Sequence, residues 1–315
     1  MKSEKGKEGF LNYYRTLFPS GKEFKQFIEC LEKPNLPVLR FSPPQAARLW
    51  SLWREKGLSW QPLSWYPYAL LWPKEVAYGQ LLPGFKQKLF YPMNAASLIP
   101  VLALQVQPDD MVLDACAAPG GKTLFLSEFI GRKGRLIAND LSRARLTRMK
   151  QVFKDYRVYE VAIGYGNAAT IFRRFPNYFD KILVDAPCSS EKHVFNSPKH
   201  LKEWSTNRIK FLPKRQFALL SGLFLALKPG GRMVYSTCAV TPQENEAVVA
   251  QLLKKKEGQM KLCPWELATP GGPGLPGKYE VNFDLAQVRR ILFNQEGLDP
   301  MFVAIFEKIK EDQLS

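Results

Sequence analysis

Two cysteines stand where covalent chemistry can be done. Cys188 closes the run Asp185-Ala186-Pro187-Cys188, and Cys238 closes Ser236-Thr237-Cys238. Each follows a short apolar run of strand texture. If those runs are neighbouring parallel strands, both thiols reach one sheet edge with Asp185 beside them. A thiolate is a nucleophile, and two thiols with a carboxyl group suit substitution at carbon 5 of cytosine. That carbon is a poor nucleophile until a thiolate adds to carbon 6. A carboxyl group hydrogen-bonded to ring nitrogen 3 stabilises the charge that develops there. A second positioned group then assists loss of the carbon 5 proton and expulsion of the thiol. A lone cysteine is more often a small buried hydrophobe, and Cys30 and Cys263 are read that way. The matched placement of Cys188 and Cys238 argues against it for them.

The sharpest local feature is DACAAPGGKT at residues 114–123. An apolar run passes into Cys116, Ala117, Ala118, Pro119, Gly120, Gly121 and Lys122 and then into a helical pattern. Small residues let backbone approach a ligand closely, and the helix start offers free N–H groups. Asp140, at the end of the next apolar run, can accept from both hydroxyls of an adenosine ribose. The bland alternative is a tight strand–helix turn with an exposed Asp. Neither GxGxxG nor GxxxxGK[ST] is present, which weighs against a dinucleotide and a P-loop. Geometry alone leaves open which adenosine cofactor is bound.

These residues need a scaffold, and the chain alternates as one would require. Strand patterns fall at 111–115, 134–139, 158–163, 181–184 and 232–236, with helical patterns at 123–130, 142–153, 217–227 and 244–256 between and after them. Such alternation predicts an α/β fold, a doubly wound and mostly parallel sheet. Lys228-Pro229-Gly230-Gly231 reads as a helix stop. Residues 269–277 read as a Gly/Pro-rich loop, and 288–293 with 301–306 as a closing antiparallel pair. A helical pattern at 95–104 leads into this domain. Before it lie helical patterns at 10–18, 22–31 and 44–56, then a Pro- and Trp-rich stretch at 58–72 that reads as short strands and turns. The expected division is a small helical/mixed module at 1–90, a candidate for RNA binding, and a catalytic domain at 91–315.

Lysine and arginine total 45 against 29 acidic residues, a net charge of +16. A chain this basic is expected to meet a polyanion, because phosphate neutralisation releases counterions; a basic surface kept for solubility is the alternative. Five scattered cysteines and two histidines form no CxxC pair, so neither a disulfide framework nor a metal site is expected. No long uninterrupted apolar run predicts a membrane span. The first nine residues mix Lys with Glu and lack the pattern of a secretory signal or transit peptide. The expected location is the cytoplasm, with mitochondria left open. A monomer is expected, since a basic face must stay open, with room for a partner protein that presents the RNA.

From about residue 91 onward the chain resembles the Sun/Nop-type RNA 5-methylcytosine methyltransferases. The motifs that carry the resemblance are DACAAPGGKT, DAPCSS (185–190), KPGG (228–231), YSTC (235–238) and PQENE (242–246). It implies a Rossmann-like class I methyltransferase fold with a seven-stranded sheet, and S-adenosylmethionine as cofactor. It further implies Cys238 as nucleophile, Cys188 as the group that helps release product, and Asp185 as a contact to the target base. Residues 116–122 with Asp140, Arg145, Asn167 and Asp185 would hold the cofactor. DNA cytosine methyltransferases are similar in chemistry but use the Pro-Cys cysteine as nucleophile, so the Thr-Cys context of Cys238 argues for the RNA type. Asn167 departs from the Asp that the family commonly places near the adenine, which predicts retuned binding. The stretch 91–97 and Asp299-Pro300-Met301-Phe302 look most like the branch with the mitochondrial small-subunit rRNA enzyme. That favours small-subunit rRNA over tRNA as substrate. A non-catalytic ribosome-assembly factor would be expected to lack a catalytic cysteine or the cofactor loop. A cytosine must be unpaired or extruded for attack; candidates to grip the RNA are His193, Phe195, Trp204, Arg208 and Lys210, with local packing of that loop the equal alternative for Phe195 and Trp204.

Overall fold

A computed structural model describes residues 4–33, 36–292 and 297–310. The chain begins with α1 (Gly6–Leu17), α2 (Gly21–Glu32), β1 (Val38–Arg40), α3 (Ala46–Glu55), β2 (Pro62–Leu63), β3 (Tyr66–Leu70) and β4 (Tyr91–Met93). It continues with α4 (Leu98–Leu104), β5 (Met111–Asp114), α5 (Gly121–Leu126), β6 (Arg135–Asp140), α6 (Arg143–Asp155), β7 (Val161–Tyr165) and β8 (Phe179–Asp185). Then follow α7 (Glu191–Phe195), α8 (Pro198–Glu203), α9 (Thr206–Ala226), β9 (Leu227–Thr237), α10 (Glu246–Lys255), β10 (Met260–Leu262), β11 (Val288–Ile291) and β12 (Met301–Lys308).

The large sheet runs in the order β10-β12-β9-β8-β5-β6-β7, with β11 as an eighth strand beside β12. Strands β5 to β9 are mutually parallel and β12 runs antiparallel to β9. This is the mostly parallel, doubly wound α/β architecture expected, with β11 and β12 as the closing antiparallel pair; Phe293, at the end of the expected strand, lies outside the described residues. Strand order turns between β5 and β8, and helices cover both faces. One face packs Leu220, Leu223 and Val249 from α9 and α10 against the strands, and the other packs Ile99, Val101 and Phe125 from α4 and α5.

Most elements shift by a few residues from their sequence pattern, and two differ further. Helix α9 starts eleven residues earlier than expected and contains Pro213. Its first half buries Ile209, Leu212 and Gln216, and that packing outweighs the one hydrogen bond that a proline removes. The KPGG segment lies inside β9 and does not precede it. Leu227 already pairs with Phe179, and the register resumes at Lys181–Arg232. The segment is thus an irregular bulge, with Gly230 at φ +77° where a side chain would be strained.

A small antiparallel sheet, β2-β3-β1-β4, continues to Met93. Arg40 on β1 bonds Glu128 at 2.7 Å and stacks over Phe125, which ties that sheet to the cofactor half of the large one. Helices α1 and α2 pack elsewhere: Phe10, Tyr14, Phe27 and Leu31 meet Val194, Trp204, Ile209 and Val240. The first two helices therefore lie directly behind the segments that carry both cysteines.

Candidate active site

Asp185 ends β8 and is in register with Ser236 on β9. The next residues on each strand lead to Cys188 and Cys238, which explains how residues fifty apart in sequence meet. Their sulfurs lie 3.1 Å apart, and the Ser190 hydroxyl sits 3.4 Å from Cys188 Sγ and 3.3 Å from Cys238 Sγ. The Cys188 thiol is pushed well above its usual range, first by its hydrogen bond to Cys238 and then by burial. It therefore keeps its proton near neutral pH and presents a donor to Cys238.

Asp185 links the two cysteines to the loop at 116–122. Its Oδ1 accepts from Ser236 Oγ at 2.9 Å and its Oδ2 pairs with Lys122 Nζ at 2.7 Å. Burial alone would lower the Lys122 ammonium, but Asp185, with Asp114 behind it, raises it above the usual lysine value. Lys122 also lies 3.5 Å from Ser97 Oγ. Together with Tyr91, Asp114 and Cys116 these groups line a cavity of about 200 Å³. A second cavity, of about 220 Å³, adjoins it at Cys116 and is lined by Asp140, Arg145, Asn167, Arg215 and Gln216.

The loop at 116–122 is held tightly. A side chain at Gly120 would meet Met149 at 2.8 Å, and one at Gly121 would meet Tyr91 at 2.8 Å. Asp140 accepts from Ala118 N at 3.2 Å and Ser142 N at 2.9 Å, and pairs with Arg145 at 3.1 Å. Arg145 also donates to the Ala118 carbonyl. Arg145 thus lies across a buried Asp140, so any ligand reaching that carboxylate must share it with the guanidinium. Asn167 accepts from Ala169 N at 3.0 Å, capping a short 3-10 turn. Cys116 is half-buried, and burial raises its thiol strongly, which suits contact through its backbone and not thiolate chemistry.

Sequence reasoning brought together Asp185, Cys188, Cys238 and Lys122, but it missed what lies behind them. Glu191 accepts from Tyr14 Oη at 2.7 Å, Ser189 Oγ at 2.5 Å and Val240 N at 3.2 Å. Glu244 accepts from Ser189 N and Gln216 Nε2, both at 2.9 Å. Burial, then mutual repulsion, holds Glu191 above the usual carboxylate range, and burial does the same for Glu244. Two buried carboxyl groups thus fasten the Cys188 segment to the Cys238 segment and to α1. Glu244 stood in PQENE, but nothing in sequence spacing pointed to Glu191 or Tyr14.

Of the residues expected to grip RNA, His193, Arg208 and Lys210 are exposed. Trp204 is not: it is 2% exposed and packs edge-on against Phe10, with Phe195 on the same ring. Both aromatics are occupied in docking α1, which corrects that expectation.

Asp114 yields a pH prediction. Its Oδ2 accepts from Thr123 Oγ1 at 2.7 Å, its Oδ1 is buried without a partner, and burial raises its pKa from 3.8 to about 7. The folded state therefore binds this proton more tightly than the unfolded one. The stability so contributed is whole below the unfolded value of 3.8 and is lost as pH rises through about 7. Ligand-free protein should lose a few kcal/mol between about pH 4 and pH 8 from this group, and Asp114→Asn should flatten that slope in denaturant titrations. An unchanged slope in the variant would refute the assignment.

Residues 101–307 match the family model described as 16S rRNA methyltransferase RsmB/F. The chain belongs to the RsmB/F methyltransferase family. It is 33% identical over 256 residues to the tRNA (cytosine(49)-C(5))-methyltransferase of Pyrococcus abyssi, covering 78% of this chain and 79% of that protein. It is equally 33% identical to ribosomal RNA small subunit methyltransferase F of Aeromonas hydrophila, covering 78% of this chain and 54% of that protein. The RsmB/F chain described here thus spans about half the length of its bacterial relatives. A methyltransferase homolog protein from Pyrococcus horikoshii superposes with a TM-score of 0.77 at 28% identity, covering 92% of each chain. NSun6 from the same organism, solved with SFG, shares the fold at a TM-score of 0.79 and 21% identity. No helix among the described residues is long and apolar enough to cross a membrane.

Proposed function

We propose that this RsmB/F chain is an S-adenosylmethionine-dependent RNA cytosine carbon-5 methyltransferase that acts through a covalent bond between Cys238 and carbon 6. The observation that carries the proposal is the contact of Cys188 and Cys238, 3.1 Å apart, beside an Asp185 held by Lys122 and Ser236. Cys238 is proposed as the nucleophile because the Cys188 thiol and the Ser190 hydroxyl both lie within hydrogen-bond reach of its sulfur, where either can donate to a thiolate. Its attack forms the carbon 6–sulfur bond and makes carbon 5 electron-rich. Asp185 would contact the target base, and the Lys122 ammonium paired with it would offset the negative charge that develops on the ring during addition. S-adenosylmethionine, when bound, supplies the electrophilic methyl group. The carbon 5–hydrogen bond then breaks, its electron pair re-forms the ring double bond, and the carbon 6–sulfur pair returns to Cys238. Cys188, lying against that sulfur, assists this release by donating its S–H to the departing sulfur, and the carbon 5 proton passes to water.

The site's own residues fit the cofactor. The unpartnered Asp114 Oδ1 and the Asp185 carboxylate face a cavity suited to an ammonium group. Asp140 and Arg145 would hold the ribose and Asn167 the adenine; all three line the adjoining cavity. Cys116, Ala117, Ala118, Pro119, Gly120, Gly121 and Lys122 form the cradle between them. Solution of NSun6 with SFG, an S-adenosylmethionine analogue, supports the same choice.

Small-subunit rRNA is the proposed substrate, on the names of the bacterial relatives and the motifs at 91–97 and 299–302. A tRNA substrate has its own support, since the archaeal tRNA enzyme matches over 79% of its length and the rRNA enzymes over about half of theirs. The segment at 1–90 is proposed to help bind RNA, and the protein to work as a monomer. The test is transfer of labelled methyl to small-subunit rRNA and to tRNA, each naked and in isolated particles. Label in 5-methylcytosine of rRNA alone is expected; label in tRNA alone reassigns the substrate, and label in neither refutes the activity.

A further inference from the structure

Ser190 follows the cysteine motif and has no assigned part in the chemistry. Its backbone lies at φ +53°, ψ +58°, the left-handed region. An L-residue other than Gly or Asn is strained there by about 1–2 kcal/mol, yet a serine occupies it. It stands at the N-cap of α7, where a serine hydroxyl ordinarily accepts from a backbone N–H of the first turn. No such bond forms. The hydroxyl points instead between the two sulfurs, 3.4 Å from Cys188 Sγ and 3.3 Å from Cys238 Sγ, with the Cys188 carbonyl as a longer acceptor at 3.5 Å. The segment is fixed in that pose from behind, by Glu244 on Ser189 N and by Glu191 on Ser189 Oγ. A strained backbone that surrenders its cap to place one oxygen against two sulfurs implies a use for that oxygen.

We propose that the Ser190 hydroxyl is a catalytic hydrogen-bond donor that stabilises the Cys238 thiolate both as it attacks the base and as it leaves. The inference rests on the reading of Cys238 as nucleophile. A hydroxyl can serve both sulfurs in turn because its proton rotates freely. While Cys238 is a thiolate, Ser190 donates to it. When Cys238 is bonded to carbon 6, the same proton can turn to Cys188 Sγ, whose own S–H then donates to the Cys238 sulfur as it leaves. When the carbon–sulfur bond breaks, the electron pair returning to Cys238 again meets the Ser190 donor. A charge-assisted hydrogen bond of this kind is stronger than a neutral one, so the hydroxyl favours the ionised sulfur over the protonated one.

The test reads ionisation of the sulfur directly. Ser190→Ala removes the hydroxyl and keeps the β-carbon; Ser190→Gly removes it and suits the left-handed backbone, so the second variant folds even if the first does not. The rate of iodoacetamide alkylation at Cys238, resolved from Cys188 by peptide mass spectrometry, is measured at about pH 7 and about pH 10. Both variants are expected to react about three- to tenfold more slowly than wild type at the lower pH, where the thiolate population limits the rate. At the higher pH the rates should converge, since the sulfur is then ionised in every variant. Equal rates at the lower pH would overturn the proposal, as would equal slowing at both pH values, which marks altered access. The readout needs no cofactor or RNA. If Cys238→Ala protein still methylated RNA, the nucleophile assignment would fail while the alkylation result stood by itself.

Discussion

Replacing Cys188 with alanine should cut turnover about 10²- to 10⁴-fold, as loss of a positioned acid–base group does, while the protein still attacks its substrate. The variant keeps Cys238, Ser190 and the Asp185–Lys122 pair, so addition to carbon 6 and methyl transfer proceed. What fails is return of the sulfur, because the thiol 3.1 Å from Cys238 Sγ that donates to it as it leaves is gone. The expected product is therefore a protein–RNA adduct that survives denaturing electrophoresis and carries the transferred methyl group. Wild type should show little of it at steady state. The effect is not one of folding: Cys188 is half-buried at the rim of the site, and an alanine there removes a single sulfur. Loss of turnover without any adduct would mean that Cys188 acts before the covalent step and that the two cysteines have exchanged roles.

The second large effect is structural and reaches the site through Arg290. Its guanidinium, 3% exposed on β11, bonds Glu246 twice, at 2.9 and 2.5 Å, and the Val240 carbonyl at 2.8 Å. Val240 lies two residues after the nucleophile, so this pair holds the Cys238 segment from the side opposite Glu191. Glu246→Ala leaves a buried cation with a single carbonyl partner, a change that costs about 3–5 kcal/mol in comparable pairs. For a domain of this size the melting temperature should fall by on the order of 10 °C. Replacing both partners by apolar residues, Glu246→Leu with Arg290→Met, should recover much of the loss, because no uncompensated charge remains. A single variant within about 1 kcal/mol of wild type would show that water reaches Arg290 and that the pair does not anchor the segment.

The central chemistry was legible in the sequence because it sits on residues that short motifs fix. Asp185, Cys188 and Cys238 end two strands that are adjacent and parallel, and strand alternation placed them at one edge before any coordinates. The close-packed turn at 116–122 was legible for a like reason, since small residues and glycines between a strand and a helix let backbone and neighbouring side chains approach closely. What escaped was set by contacts across long stretches of chain. Tyr14 reaches Glu191 across 177 positions and Arg40 reaches Glu128 across 88, and no local pattern reports such pairs. Trp204 read as a candidate for stacking on a base because its exposure cannot be judged without α1, whose Phe10 covers it. The start of α9 was missed because Pro213 reads as a breaker, and only burial of Ile209 and Leu212 reveals why the helix runs through it. Ser190 was visible as a letter in DAPCSS, but its left-handed backbone and its two sulfur contacts belong to the folded state alone.

The most direct test of the mechanism is adduct formation on RNA carrying 5-fluorocytosine at the target position, with S-adenosylmethionine present. Fluorine at carbon 5 cannot leave as a proton does, so the covalent complex stays intact once the methyl group has been transferred. Wild-type protein is predicted to be trapped on this RNA through the peptide containing Cys238, and Cys238→Ala protein to form no adduct and transfer no methyl group. Trapping through Cys188, or undiminished trapping of the Cys238→Ala variant, would contradict the assignment of Cys238 as the nucleophile.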